Sequence, residues 1–286
     1  MSAMEILEFV LRGLLLGVTY GVIAIPICLV FVSTGTVDMA MGAYVVLAAA
    51  ISFTLAGPLG MAAAVLAAIA AAAVVGVLSA LLMRRYAGEK MIVILASFGF
   101  AIMLESLVLT VFGNNPFVQS SGAGTLRLAG ILLSKQSLLA AGIGLVLAGG
   151  VYLLLYRSAL GRLMRAGADN ARGAAIAGIA VGRVQLFTFM LTGALAGIAG
   201  LLLLNGPGVM FSSAIPLTIT GLGAAIIFGF SRPLMGFVGG LIFGVAESLS
   251  AGFAPPGWAT LLPLLFIFSV LAIRSLRGSD LAGGRA

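Results

Sequence analysis

The sequence specifies an all-α fold, a polytopic bundle of transmembrane helices with about eight to nine membrane segments, some of them short or broken. Three observations carry this. Of 286 residues, 62% are hydrophobic, against about 45–50% in soluble domains. Charged residues make up 8%, against about 25%. Apolar stretches near the roughly 20 residues a helix needs to cross a bilayer recur from Leu11 to Ile273, with brief polar breaks between them. No water-soluble fold of this length hides so much apolar surface, so residues 1–286 read as a single membrane domain with no soluble domain attached.

Taken in order, the segments fall at 10–32, 43–57, 60–83, 91–113, 136–156, 183–204, 217–230, 235–252 and 259–274. Glu5 and Glu8 precede the first, which lacks the basic start of a secretory signal, so the first helix is expected to be retained. The single cysteine, Cys28, lies inside that helix, which excludes an internal disulfide and suits a small buried apolar side chain. Segments 43–57 and 217–230 are too short to cross about 30 Å of hydrocarbon at 1.5 Å per residue unless they extend into their flanks. Broken or re-entrant segments are the other reading. Irregular backbone at membrane depth is tolerated where protein or a water-filled cavity covers it. The stretches Ser33–Gly42 and Gly206–Pro216 are therefore expected to face the interior, near a solute path by analogy with the interrupted helices of transporters.

The net charge of +7 is a topology signal rather than a nucleic-acid footprint, because the arginines sit in short loops and are not interleaved with exposed aromatics. Placing Arg84, Arg85, Lys90, Arg157, Arg162, Arg165, Arg172, Arg183, Arg232, Arg274, Arg277 and Arg285 on one side leaves Arg12, Arg127 and Lys135 on the other. By the positive-inside rule the larger set is cytoplasmic. The N-terminus is then outside and the C-terminus inside. Segments one to three and seven to nine run in the same order and orientation, each trio ending in a basic stretch, which hints at an internal repeat.

Glycine contributes 40 of the residues, about twice the usual share. Gly13, Gly17 and Gly21 form one four-residue ladder, Gly236, Gly240 and Gly244 a second, and Gly193 with Gly197 a third. That spacing places each ladder near one helix face, where a missing side chain lets backbones approach. Packing within the chain and packing at a subunit interface are both open readings.

Enzymatic chemistry has little to stand on. Without histidine, a second cysteine or a carboxylate cluster, neither a catalytic constellation nor a metal site can be named. Neither Lys90 nor Lys135 sits in a phosphate-cradling loop, so any ATP that powers transport is hydrolysed by another subunit. Charges buried in lipid are expensive, which makes Glu105 in segment four and Glu247 in segment eight candidates for a transport pathway, or else hydrogen-bonded packing residues. Asp38, in the broken stretch, is a third pathway candidate; pairing with a loop arginine is its other reading. The longest basic stretch, Tyr156 to Arg183, holds an alanine-rich centre, Asp169 to Ile179, that fits a short helix beneath the membrane.

That stretch and the helix after it, RAGADNARGAAIAGIAVGRVQLFTFMLTGALAGIAGLLL, resemble the signature loop of the branched-chain amino-acid ABC transporter permeases, the LivH-type family. The matching residues are Arg165–Ala166, Asp169–Asn170, Ala174, Gly178–Ile179 and Ala196–Gly200. Two further blocks are similar: GTVDMAMGAYVVLAAA at 35–50, and LGAAIIFGFSRPLMGFVGGLIFGVAESL at 222–249. Asp38 stands where the family usually has asparagine, and Phe230–Pro233 replaces a more glycine-rich turn. The resemblance implies an importer in the bacterial or archaeal inner membrane. Its parts are two permease subunits (the second LivM-type), cytoplasmic ATPase subunits and an extracytoplasmic substrate-binding protein, with no cofactor. It also implies that Arg165, Asp169, Gly178 and Ile179 belong to the loop that docks on the ATPase. Its solutes are branched-chain or related amino acids or similar small polar molecules. A sugar-type permease and a proton-coupled secondary carrier are the alternatives.

Overall fold

The computed structural model describes residues 3–86, 90–119, 124–128 and 131–253, and beyond them only 265, 268 and 269. The first helix, α1 (Ala3–Thr34), carries Pro26 inside it, where the ring removes one backbone hydrogen bond and favours a bend. It stops at Gly35, whose φ of +68° is left-handed and suits a residue without a side chain. After five irregular residues comes α2 (Met41–Leu55). A sharp turn at Ala56 and Gly57 leads into α3 (Gly57–Arg85), with a proline in its first turn, where the missing N–H costs nothing. Then follow α4 (Lys90–Phe112) and α5 (Lys135–Arg157). Short helices α6 (Ala159–Asp169) and α7 (Ala171–Ile176) precede α8 (Val181–Leu204). A 3-10 turn at Phe211–Ser213 opens α9 (Ala214–Phe228), and α10 (Pro233–Phe253) ends the described helices.

Seven of these elements are long and apolar enough to cross a membrane: α1, α3, α4, α5, α8, α9 with its 3-10 turn, and α10; α2 is a shorter apolar helix. The expected all-α bundle is thus present, with eight segments among the described residues. The ninth expected segment, 259–274, lies outside them except for residues 265, 268 and 269, and Arg274, Arg277, Arg285 and the end of the proposed repeat lie outside them too. Between α4 and α5 the chain forms a small antiparallel hairpin, β1 (Thr125–Leu128) with β2 (Ile131–Ser134), in the register Thr125 opposite Ser134. Nothing in the apolar pattern announced it.

The helix at the centre is one of the short ones. Eleven of the fifteen residues of α2 are buried, and α3, α4, α8 and α9 all pack on it. Its sequence is apolar on every face, as a helix surrounded by protein requires. By contrast α3, α4 and α5 turn Leu66, Leu81, Leu95, Val111, Val146 and Leu153 outward, a surface for lipid or another apolar protein face.

The glycine ladders close on each other inside the chain. A Cβ added to Gly17 would lie 2.7 Å from the Cα of Leu241, and one added to Gly13 2.7 Å from that of Val245. From the other side, Gly240 abuts the backbone of Gly21 and Gly244 that of Gly17. So α1 and α10 touch backbone to backbone, which explains both four-residue spacings at once. Gly193 and Gly197 do the same for α8 against α3, facing Ala68, Ala72 and Val65. All three ladders are occupied by intramolecular contacts, and the subunit-interface reading of them falls.

Candidate translocation path and coupling element

The break between α1 and α2 is buried or half-buried, as the sequence suggested, and several of its backbone groups are bonded by side chains, some of them from distant helices. Asp38, 2% exposed, accepts from the Ala40 N–H at 2.9 Å and from the Tyr44 hydroxyl at 3.0 Å. Ser97 of α4 accepts from the Met39 N–H at 3.1 Å. Thr218 of α9 accepts from the Gly42 N–H at 2.9 Å and reaches the Met39 carbonyl at 3.3 Å. On the α1 side, the Gln185 amide of α8 donates to the Ser33 carbonyl at 3.2 Å. Gly42 also abuts the Ala214 carbonyl, so the starts of α2 and α9, the two short helices, are in contact. Irregular backbone inside an apolar bundle persists only when every polar group finds such a partner.

The second interrupted stretch behaves differently. Of Gly206–Pro216, residues Gly206, Pro207, Met210, Ser212 and Pro216 are exposed while Val209 and Ala214 are buried. The expectation that this stretch faces the interior holds only in part: Val209 and Ala214 are buried and Gly206 and Pro207 line a cavity, while Met210, Ser212 and Pro216 turn outward. It is a turn at the end of α8, beyond the helix ends, where the need to hide backbone groups is relaxed. It is tied to the α4–α5 connection by reciprocal bonds between Phe117 and Val209, at 2.8 and 3.0 Å, and by the Gln119 N–H on the Leu204 carbonyl at 2.9 Å. Phe117, 1% exposed, fills the space beneath and meets the rings of Phe53 and Phe112.

Two cavities mark the two ends of the bundle. One of about 550 Å³ lies among Arg12, Thr19, Ser134, Ser137, Gly206 and Pro207. The other, of about 580 Å³, lies at the end holding the basic loops. Its walls are Ser33–Gly35 of the break, Met83 at the end of α3, Lys90 at the start of α4, Gly167 of α6, Gln185 of α8 and Ser231 between α9 and α10. Both are within the size of small-molecule pockets.

The three pathway acids are held separately, with no hydrogen bond among them in the described residues. Glu247 of α10 accepts from the Tyr20 hydroxyl of α1 at 3.2 Å, and the Tyr20 ring meets Phe243 edge-on. Glu105 is partly buried on α4, and its Oε2 atom is buried without a hydrogen-bond partner among the described residues. Sequence reading missed the partners: Tyr20, Tyr44, Ser97, Gln185 and Thr218. The available signal was weak, because each is one of several polar residues in a mostly apolar helix.

The basic loop folds into two helices rather than one, broken at Asn170. Ser158 caps α6 by accepting from the Gly161 N–H at 3.0 Å, and Asn170 caps α7 through Gly173 at 2.8 Å. Asn170 thus supplies the cap of α7, whereas Asp169 closes α6, and its side chain lies outside the described residues. One face of α6, at Gly161, Met164 and Gly167, is buried against α1, α5 and α8. Arg165 lies over the ring of Tyr156, 5.2 Å from its centre, a cation–π contact that leaves the guanidinium N–H edge to donate to acceptors on a partner. At the far end Gly178, with φ of +85°, reverses the chain toward α8. Its N–H reaches the Ala175 carbonyl at 3.1 Å and the Ile179 N–H the Ala174 carbonyl at 2.9 Å, the paired bonds of a Schellman turn. Between these two stops Ile176 is 83% exposed.

A central buried helix, a buried break bonded by side chains of other helices, cavities at both ends and a capped loop element define a polytopic membrane permease. The chain matches the family described as branched-chain amino acid transport system / permease component over residues 9–271, and it belongs to that family. It is 27% identical to the high-affinity branched-chain amino acid transport system permease protein BraD of Pseudomonas aeruginosa, over 86% of each chain. To the LivH permease protein of Salmonella typhimurium it is 25% identical, over 93% of each. To the galactofuranose transporter permease protein YtfT of Escherichia coli it is 26% identical, over 88% of this chain and 76% of that one. No solved structure matches it significantly.

Proposed function

We propose that this chain is the permease subunit of an ATP-driven ABC importer for branched-chain or related amino acids or similar small polar solutes. It pairs with a second permease subunit of LivM type, receives solute from an extracytoplasmic binding protein, and is moved by cytoplasmic ATPase subunits. The N-terminus is outside, and the end bearing α6 and α7 is cytoplasmic, as the charge bias requires. Asp38, Glu105 and Glu247 are candidates for the pathway, and Arg165, Asp169, Gly178 and Ile179 for the coupling loop.

The observation that carries this reading is the α6–α7 element. It is stopped at both ends, anchored by a buried face on α1, α5 and α8, and crowned by Ile176, an aliphatic side chain exposed in a polar loop. A permease without a nucleotide site needs such a rigid contact to receive force from a partner. The relative named for galactofuranose supports a sugar-type solute as the second reading.

The test is recovery of the ATPase with a tagged permease from membranes. The Ile176→Asp variant, and separately Arg165→Ala combined with Asp169→Ala, are expected to insert normally. They should recover less ATPase, or recover it with hydrolysis uncoupled from uptake. Wild-type recovery and wild-type uptake in both would reduce the loop to a charged anchor at the lipid headgroups.

A further inference from the structure

The last carbonyls of a helix have no partner inside it, and near the end of α1 three carbonyls are met in different ways. The Val30 carbonyl accepts from the Thr34 hydroxyl at 2.8 Å and the Ser33 hydroxyl at 3.2 Å. The Phe31 carbonyl accepts from the Gly35 N–H at 2.7 Å. These bonds are local and travel with α1. The Ser33 carbonyl alone in this set is held from elsewhere, by the half-buried Gln185 side chain 152 residues away.

Gln185 is the fifth residue of α8, just past its first turn and six residues beyond Ile179 of the Schellman turn that ends α7. Between the two there is no slack, because the Val181 N–H bonds the Ile179 carbonyl at 2.8 Å and the Val184 N–H bonds Ala180 at 3.2 Å. Gly167 of α6, Gln185 and the Ser33–Gly35 turn share one cavity, which Lys90, Met83 and Ser231 complete. The element proposed to dock on the ATPase and the irregular backbone before α2 therefore meet at that cavity, and Gln185 spans them.

We infer that the cavity is the inner mouth of the solute path and that Gln185 is a positioning residue that latches its gate, the 35–40 break, to the coupling element. This rests on the reading of α6–α7 as the ATPase contact. A displacement of α6–α7 carries the first turn of α8 with it, Gln185 draws on the Ser33 carbonyl, and the strain falls on the one stretch of α1–α2 without helical bonds. The start of α2 stays fixed meanwhile, held by Ser97 and Thr218.

The test uses the full complex of permease pair, ATPases and binding protein in proteoliposomes, measuring ATP hydrolysed and solute imported together. Gln185→Met keeps the size and removes the donor, Gln185→Glu turns an acceptor toward the carbonyl, and Gln185→Lys retains a donor of similar reach. In the Met and Glu variants, ATPase recovery and hydrolysis are expected to match wild type while solute per ATP falls about fivefold or more, the lower range of coupling effects. The Lys variant should regain most of the coupling. Wild-type stoichiometry in Gln185→Met would overturn the latch. So would loss of the assembled complex in both the Met and Glu variants, which would mark Gln185 as a folding residue. A wild-type complex without ATP-driven uptake would instead contradict the proposed function.

Discussion

At Asp38 a single side chain, offered by the sequence as a transport acid, holds irregular backbone in place. Its two oxygens satisfy the Ala40 N–H and the Tyr44 hydroxyl in a site with almost no solvent. Asparagine can accept one of these bonds and donate or accept at the other, so Asp38→Asn is expected to keep the thermal midpoint of the purified protein. Asp38→Leu orphans both partners at about 1–3 kcal/mol each and should lower the midpoint by several degrees; an unchanged midpoint would show that the break is held by Ser97 and Thr218 alone. For the membrane glutamates the expectation differs. Glu247→Gln still accepts from Tyr20 and should assemble normally, as should Glu105→Gln. Uptake at the normal rate with both replaced would remove them from the mechanism.

Among the helices, backbone contact between α1 and α10 makes a sharp distinction between glycines of the same chain. Gly17→Ala forces a methyl against the Leu241 backbone and is expected to cost about 1–3 kcal/mol, as overpacking does. On α5, a Cβ added to Gly142 meets nothing within 4 Å, so Gly142→Ala should stay within about 0.5 kcal/mol. Thermal unfolding of the two variants in the same detergent compares them directly, and equal stability would refute the backbone-to-backbone packing. The four-residue spacing was legible in the sequence because it reflects one helix face. Which ladder met which was not, since spacing within a helix says nothing of its neighbour. The same limit applied to the basic loop. Its alanine content announced a helix, but the split at Asn170 depends on two local caps whose choice between Asp169 and Asn170 is a matter of one residue's backbone angle.

Across the described residues, eight spans were readable to within a few residues, apart from the earlier start of α1, because bilayer thickness sets the length of an apolar run. The centrality of α2 was hidden by the same uniformity: an all-apolar helix looks alike whether lipid or protein surrounds it. Likewise Gly206–Pro216 and Ser33–Gly42 share turn-forming residues, and only their burial in the fold separates them. The proposed orientation can be checked with the native background nearly silent, because Cys28 is buried. Ile176→Cys should label from the cytoplasm and Ser212→Cys from outside; the reverse pattern would invert the topology. The central claim is that ATP hydrolysis by partner subunits drives this permease, and its most direct test is uptake into proteoliposomes holding the complete complex. Uptake that requires ATP and the binding protein, and that persists when the proton gradient is collapsed, is the expected result. Uptake driven by a proton gradient without ATP, and abolished by Glu105→Gln with Glu247→Gln, would contradict the account and make the chain a proton-coupled carrier.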